Sequence, residues 1–242
     1  MGLIEIRKLS KSFHGRTVLH DVDLSVESGT TAVILGKSGT GKSVLLKCIV
    51  GLLAPEGGSI RVDGQEVVGM ESSRLNALRR RMGFLFQSSA LYDSMSVHDN
   101  LAFPLRRNTR LTEEEIEGKI VEELQKVGLK ESVGKMPSDL SGGMRKRIGL
   151  ARSLITDPEF MLYDEPTAGL DPITAREISS LILELERDRN TTSIAVTHDM
   201  ACARTIADKV AVLDNGVIRH EGTIETMEQV DDQLVRSFFS SQ

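Results

Sequence analysis

The chain has 242 residues, 27% of them charged and 40% hydrophobic, an ordinary globular composition long enough for one domain with a subdomain. A formal net charge of -5 argues against the basic footprint that a nucleic-acid backbone requires, and 4% aromatics without a tryptophan argue against base-stacking platforms. No apolar run approaches the ~18 residues of a membrane span, and Glu5, Arg7 and Lys8 leave no room for a signal peptide's apolar core, so the chain itself is expected in the cytoplasm.

Residues 4–9, 18–26 and 31–35 alternate or run apolar and are expected strands. The last leads into Gly36, Lys37, Ser38, Gly39, Thr40, Gly41, Lys42 and Ser43, after which residues 44–52 are helix-compatible. Strand, glycine-rich loop and helix are the context that the G-x-x-x-x-G-K-[ST] pattern requires. The glycines let successive backbone N–H groups turn inward on an anion, with the positive end of a helix behind them. Lys42 then sits against β- and γ-phosphates and Ser43 on Mg2+. A glycine-rich turn without a ligand is the plainer alternative, and the motifs downstream weigh against it. Cys48 on that helix and Cys202 are too few and too scattered for a disulfide framework or a metal site, and both are expected to be buried.

Residues 59–68 carry Asp63-Gly64, a two-residue hairpin signal. Seven Lys/Arg lie between Arg74 and Arg110, either solvated surface or a contact for an acidic partner loop or lipid headgroups. From about residue 89 to 154 the pattern turns helical: Thr112 with Glu115 forms a capping box, Ile116, Ile120, Leu124 and Val127 line one face, and Gly128 closes the helix. Residues 160–163 and 193–197 are short apolar runs separated by a helix pattern, as in buried parallel strands with crossover helices. Asn215-Gly216 marks a second hairpin between residues 209–213 and 217–220. Residues 225–242 are helix-compatible, docking either on the core or on another subunit. The expected fold is α/β: a core at residues 1–88 and 155–224 with an antiparallel β-subdomain, an inserted helical subdomain at 89–154, and a C-terminal helical extension at 225–242.

The strand at residues 160–163 delivers Asp164 and then Glu165. Ligands of open α/β folds bind at the carboxyl edge of the strands, so Asp164 falls beside the phosphate loop, where it is expected to hold Mg2+ mostly through water. Glu165, one residue further, is placed to take a proton from a water lined up on the γ-phosphate. Two acids after a strand are otherwise a solvated strand end; the phosphate loop decides between the alternatives.

In this order the motifs resemble those of ATP-binding cassette (ABC) ATPases, whose core is the P-loop NTPase (RecA-like) fold, along nearly the whole chain. Gly36 to Ser43 match the Walker A loop, Gln87 the Q-loop, Leu140, Ser141, Gly142 and Gly143 the signature, Asp164 the Walker B aspartate, and Glu165 the adjacent catalytic glutamate. Ala168 to Asp171 match the D-loop, His198 the switch histidine, and Phe13 the place of an adenine-stacking aromatic. The resemblance implies ATP and Mg2+ as cofactors. It makes Glu165, His198, Gln87 and Lys42 the catalytic group, with Ser43, Gln87 and Asp164 on the metal. Phe13 is open between a core aromatic and a base platform. Gln87 is open between a strand-end polar residue and a metal contact, and His198 between a helix cap and a γ-phosphate contact that orients Glu165. Asp171 followed by Pro172 also starts a helix well, as an N-cap with proline at N1.

Ser141 begins a turn into a helix at residues 144–155, so its hydroxyl and the N–H groups of Gly142 and Gly143 form a second anion nest. In the family that nest faces the γ-phosphate held by another cassette. One chain then carries two half-sites, and two copies, head to tail, sandwich two ATP molecules. Met144 stands where glutamine is usual, which implies weaker polar contact across the interface without loss of activity. The segments Phe86 to Tyr92, Leu101 to Arg106 and Leu140 to Arg147 together look most like the ATPases of Mla/Mce-type phospholipid transport systems. An amino-acid or other small-solute importer, or a regulatory membrane complex that does not transport, is the alternative. The resemblance implies separate transmembrane permease subunits, membrane contact through them on the cytoplasmic side of the inner (cell) membrane, and no nucleic acid. A P-loop kinase or small GTPase has no use for the signature nest or His198, and a DNA-repair cassette needs sustained heptads that are absent between residues 43 and 140.

Overall fold

In the computed structural model, which describes residues 2–239, two long strands, β1 (Gly2–Phe13) and β2 (Arg16–Glu27), form an antiparallel hairpin. Its two-residue turn, His14 and Gly15, has positive φ at both positions (49° and 79°), the geometry whose twist matches that of paired strands. After β3 (Thr31–Leu35) and α1 (Lys42–Ile49), strands β4 (Gly57–Val62) and β5 (Gln65–Glu66) turn at Asp63-Gly64 as expected and complete a four-stranded sheet in the order β2-β1-β4-β5.

The second sheet has six strands in the order β10-β9-β3-β8-β7-β6, with β6 at Met82–Leu85, β7 at Phe160–Asp164, β8 at Thr192–Thr197, β9 at Lys209–Asp214 and β10 at Val217–Gly222. All neighbours are parallel except β10, which returns from β9 through Asn215-Gly216. Every residue of β3, β7 and β8 is buried, which is why these strands read as unbroken apolar runs. Alternate residues feed different cores: Ala32 and Ile34 pack with α1 and the four-stranded sheet, whereas Val33 and Leu35 pack with a layer of helices. The six-stranded sheet is thus the middle layer of three, and its carboxyl edge is held rigid from both faces.

That helical layer contains α3 (Val97–Asn108), α4 (Glu113–Lys126), α5 (Gly142–Leu154), α6 (Pro172–Arg189) and α7 (Met200–Ile206). The Thr112–Glu115 capping box is formed, and Ile116, Ile120, Leu124 and Val127 are all buried, so the helical period correctly marked the inner face. One helix was not anticipated: α2 (Ser72–Arg79) buries only Leu78 and has no apolar stripe to announce it. Both cysteines are buried, as expected. Of the seven basic residues between Arg74 and Arg110, three are engaged internally. Arg79 donates to the carbonyls of Val50 and Gly51, Arg81 to Asp63 and Glu159, and Arg106 to Glu113.

Helices α8 (Ile224–Glu228) and α9 (Gln233–Phe239) form the C-terminal segment, and α9 docks on the chain's own core through buried Val235 and through Phe238 and Phe239. Arg204 clamps it, pairing with Glu228 at 2.6 Å and lying 5.5 Å over the Phe239 ring. Residues 240–242 of the expected extension, like Met1, lie outside the described residues.

Within the helical layer α6 is pinned to α4 by a buried ion pair: Arg189 at the end of α6 donates twice to Glu123 of α4, at 2.6 and 2.8 Å. Burial pushes the Glu123 carboxyl up and Arg189 opposes that shift. Arg189→Ala should therefore cost about 3 kcal/mol, at the low end for a broken buried pair because Lys126 Nζ remains 3.5 Å from Glu123. Urea denaturation checks it: an unchanged midpoint would show that the pair contributes nothing.

Candidate nucleotide site at the carboxyl edge of the parallel sheet

Four parallel strands end on one edge, and each delivers part of the site. Gly36 follows β3, Gln87 lies two residues past β6, Asp164 ends β7, and His198 follows β8. Pairing fixes their relative heights, since Leu35 is opposite Thr197 and Asp164 is opposite Val196. The Gly36 N–H donates to the Thr197 carbonyl at 3.3 Å, tying the start of the loop to the end of β8.

Within the loop, Gly41 has φ 104° and lies so close to β2 that a Cβ would come 2.9 Å from Leu19 Cδ2. Only glycine fits both the backbone angle and the approach. Helix α1 begins at the next residue, so its N-terminal N–H groups face the loop. Lys42, 5% exposed, is folded inward. Its Nζ donates to the carbonyls of Gly36 (2.6 Å) and Lys37 (3.2 Å) and pairs with Glu165 Oε1 at 3.2 Å. Ser43 Oγ donates to Asp164 Oδ1 at 2.8 Å.

Glu165 turns sharply away from the end of β7, with φ 48°, a left-handed conformation that a non-glycine residue seldom adopts. Its N–H donates to Val196 at 2.9 Å, and its Oε2 accepts from Thr197 Oγ1 at 3.2 Å and from the His198 N–H at 3.3 Å. His198 Nδ1 lies 2.9 Å from the same oxygen. The helix cap that the sequence offered as an alternative for His198 belongs instead to Asp199, whose Oδ1 accepts from the Ala201 and Cys202 N–H groups. Thr167 Oγ1 donates to Asp199 Oδ2, which joins the segment after Glu165 to the start of α7.

Lys42, Glu165 and His198 form one polar cluster and Ser43 and Asp164 a second, and the chain adjacency of residues 42 and 43 and of 164 and 165 sets the two side by side as the network of the site. Gln87 shares a cleft with Asp164, Lys47 and Gly169, and Lys37 and Ser38 line another with Thr167 and His198. Phe13, Asp171 and the Ser141 nest stand outside the network. Phe13 is 37% exposed with Lys11 Nζ 5.0 Å from its ring, so it is not a core aromatic. Asp171 caps α6 by accepting from the Ile173 and Thr174 N–H groups, with Pro172 at the first helical position. Ser141 caps α5, its Oγ accepting from Met144 N–H at 3.3 Å, and Ser141 and Gly142 are exposed. Met144 packs against the chain's own helical core.

Two residues at the site escaped sequence reasoning. Thr197 looks like any strand terminus. Lys146 is buried, donates to the carbonyls of Gln87 (2.6 Å) and Glu165 (3.2 Å), and has its ammonium pulled down to about 8 by burial, against the opposing pull of Asp164 and Glu165. The available signal was its place on the apolar stripe of α5, one turn before Leu150.

A family model described as ABC transporter matches residues 19–168. Over 241 residues the chain is 43% identical to the "Probable ribonucleotide transport ATP-binding protein mkl" of Mycobacterium leprae, covering 99% of this chain and 70% of that protein. It is 40% identical to the intermembrane phospholipid transport system ATP-binding protein MlaF of Haemophilus influenzae, covering 100% of this chain and 91% of that protein. Among solved structures, a dimeric ATP-binding cassette in a post-hydrolysis state bound to ADP and Pi superposes with a TM-score of 0.84 at 29% identity, covering 91% of this chain and 98% of the other.

Proposed function

The chain belongs to the ABC transporter family of ATP-hydrolysing cassettes, and from that premise we propose that it is the motor of a phospholipid transporter whose membrane-spanning subunits are separate chains. The supporting observation is likeness over full length: the chain accounts for 91% of the phospholipid-transport relative but 70% of the ribonucleotide-named one. No helix among the described residues is long and apolar enough to cross a membrane. In this reading the chain sits on the cytoplasmic side of the inner membrane, held there by its permease.

We assign the residues as follows. The loop at 36–43 and the N-terminus of α1 bind the phosphates, and Phe13 stacks on the adenine. Ser43 and Asp164, 2.8 Å apart, and Gln87 on the same cleft offer oxygen donors only, the set that suits Mg2+. When bound, Mg2+ supplies charge neutralisation across the β- and γ-phosphate oxygens. Binding of ATP exchanges the Lys42–Glu165 pair for a Lys42–phosphate pair, which frees Glu165 Oε1. Glu165 then takes a proton from water as the water oxygen bonds to the γ-phosphorus, and the bond to the β–γ bridging oxygen breaks to give ADP and phosphate. His198 holds the other carboxylate oxygen and keeps the base aimed. A second copy contributes Ser141, Gly142 and Gly143 across a two-fold axis, with Asp171 beside them.

Affinity purification from membranes in mild detergent, followed by lipid and nucleotide analysis, tests the cargo. Membrane subunits carrying phospholipid are the expected result. A complex enriched in ribonucleotide other than ATP and ADP, without phospholipid, would overturn it in favour of the cargo named for the 43% identical relative.

A further inference from the structure

Four cations of helix α5 grip main-chain carbonyls of other segments: Arg145 donates to Pro137 and Arg147 to Val127, while Arg152 and Lys146 hold the loop after β6 and the turn after β7. Arg152 donates to Ser89 (3.0 Å) and Ala90 (2.7 Å), and Lys146, only 4% exposed, donates to Gln87 (2.6 Å) and Glu165 (3.2 Å). Three of those four carbonyl-bearing residues are left-handed: Ser89 at φ 62°, Ala90 at 45° and Glu165 at 48°. Such turns persist in non-glycine residues only where the surroundings hold them.

Lys146 differs from Arg152 in what it joins. One of its carbonyls belongs to the loop after β6, and the other to Glu165 itself. A buried ammonium is no better for stability than an apolar residue of similar size, and the buried positions one and two turns further along the same stripe of α5, Gly149, Leu150, Ser153 and Leu154, carry no charge. Stability alone therefore does not account for a lysine here. We propose that Lys146 is a positioning residue for ATP hydrolysis: holding the Glu165 carbonyl fixes the turn that aims the Glu165 carboxylate, and holding the Gln87 carbonyl locks that turn to the metal-side loop. Because Ser141 opens the same helix, displacement of the second anion nest and the aim of Glu165 are mechanically joined through this side chain. The inference rests on Glu165 being the general base.

The test uses the full chain with Lys146→Met, alone and combined with Glu165→Gln. The methionine variant should melt within a few degrees of the parent and bind a non-hydrolysable ATP analogue within about threefold, while kcat falls about tenfold to a hundredfold, the cost of a misplaced catalytic group. Amide hydrogen exchange in the segment 164–168 should quicken without nucleotide. In the Glu165→Gln background the same change should slow the residual rate by less than about twofold, because its object is already gone. Lys146→Arg, which keeps a donor for both carbonyls, should recover most of kcat, and it carries the test if the methionine variant does not fold. A folded arginine variant with normal binding but a rate as low as that of Glu165→Gln would overturn the proposal. So would unchanged kcat in Lys146→Met, or a loss that multiplies fully with Glu165→Gln. Normal turnover in Glu165→Gln alone would remove the general base itself, a failure separate from that of Lys146.

Discussion

Glu165→Gln should lower kcat by at least about 10²-fold, the usual contribution of a general base, while nucleotide binding is kept or tightened. Glutamine has the shape of the native side chain and still presents an oxygen to Thr197 Oγ1 and the His198 N–H, which lie 3.2 and 3.3 Å from Oε2. It has no charge with which to hold Lys42, whose Nζ sits 3.2 Å from Oε1. The lysine is then released to the phosphates without first breaking a buried pair, so affinity has no reason to fall. The two effects move in opposite directions and are read separately, kcat by phosphate release and affinity by calorimetry. Turnover within about threefold of the parent would remove Glu165 from the proton transfer, and a parallel loss of binding would mean that the substitution had damaged the loop instead.

What was legible in the sequence is what local chemistry encodes. The apolar runs that became β3, β7 and β8 are buried on both faces, and such strands cannot hide their pattern. Turns at Asp63-Gly64 and Asn215-Gly216 each require two positive φ angles, so their residues announce them. Because parallel strands end on one edge, knowing that Gly36, Asp164 and His198 each follow a strand was enough to bring them together. Long-range choices were not legible. Whether Phe13 entered the core depended on where β1 ended against β2, and Lys11 now lies beside its exposed ring. Whether His198 capped a helix depended on Asp199, which serves equally well and sits one residue closer to α7. Lys146 entered the sequence reading only within the segment that resembles phospholipid-transport ATPases, and only the docking of α5 against two loops gives it partners. The placement of α9 against Arg204 likewise follows from tertiary contact, which no local period encodes.

Composite sites make the second large prediction. Lys42→Ala should abolish tight binding of MgATP, because the ammonium now donating to Gly36 and Lys37 is the loop's only side-chain cation inside the network. Ser141→Arg should leave binding by the loop intact yet block hydrolysis, since the exposed nest would present a bulky side chain to the partner's nucleotide. Its cost in stability is limited to the α5 cap, about 1 kcal/mol, and thermal melting verifies that both variants fold. Each variant alone has no complete site. In a heterodimer, however, the Lys42 of the Ser141→Arg chain faces the Ser141 of the Lys42→Ala chain, so one site is whole and the other doubly broken. Random pairing in an equal mixture makes half the dimers mixed, and one working site in each gives about a quarter of the parental rate if the sites act independently. Recovery near that value assigns Ser141 a role in trans. No recovery at all, with mixed dimers verified by differential tags, would mean either that the two sites fire only together or that each chain hydrolyses ATP unaided. The rate of a monomer kept dilute then separates those two outcomes, because a nest supplied in trans cannot act on a solitary chain.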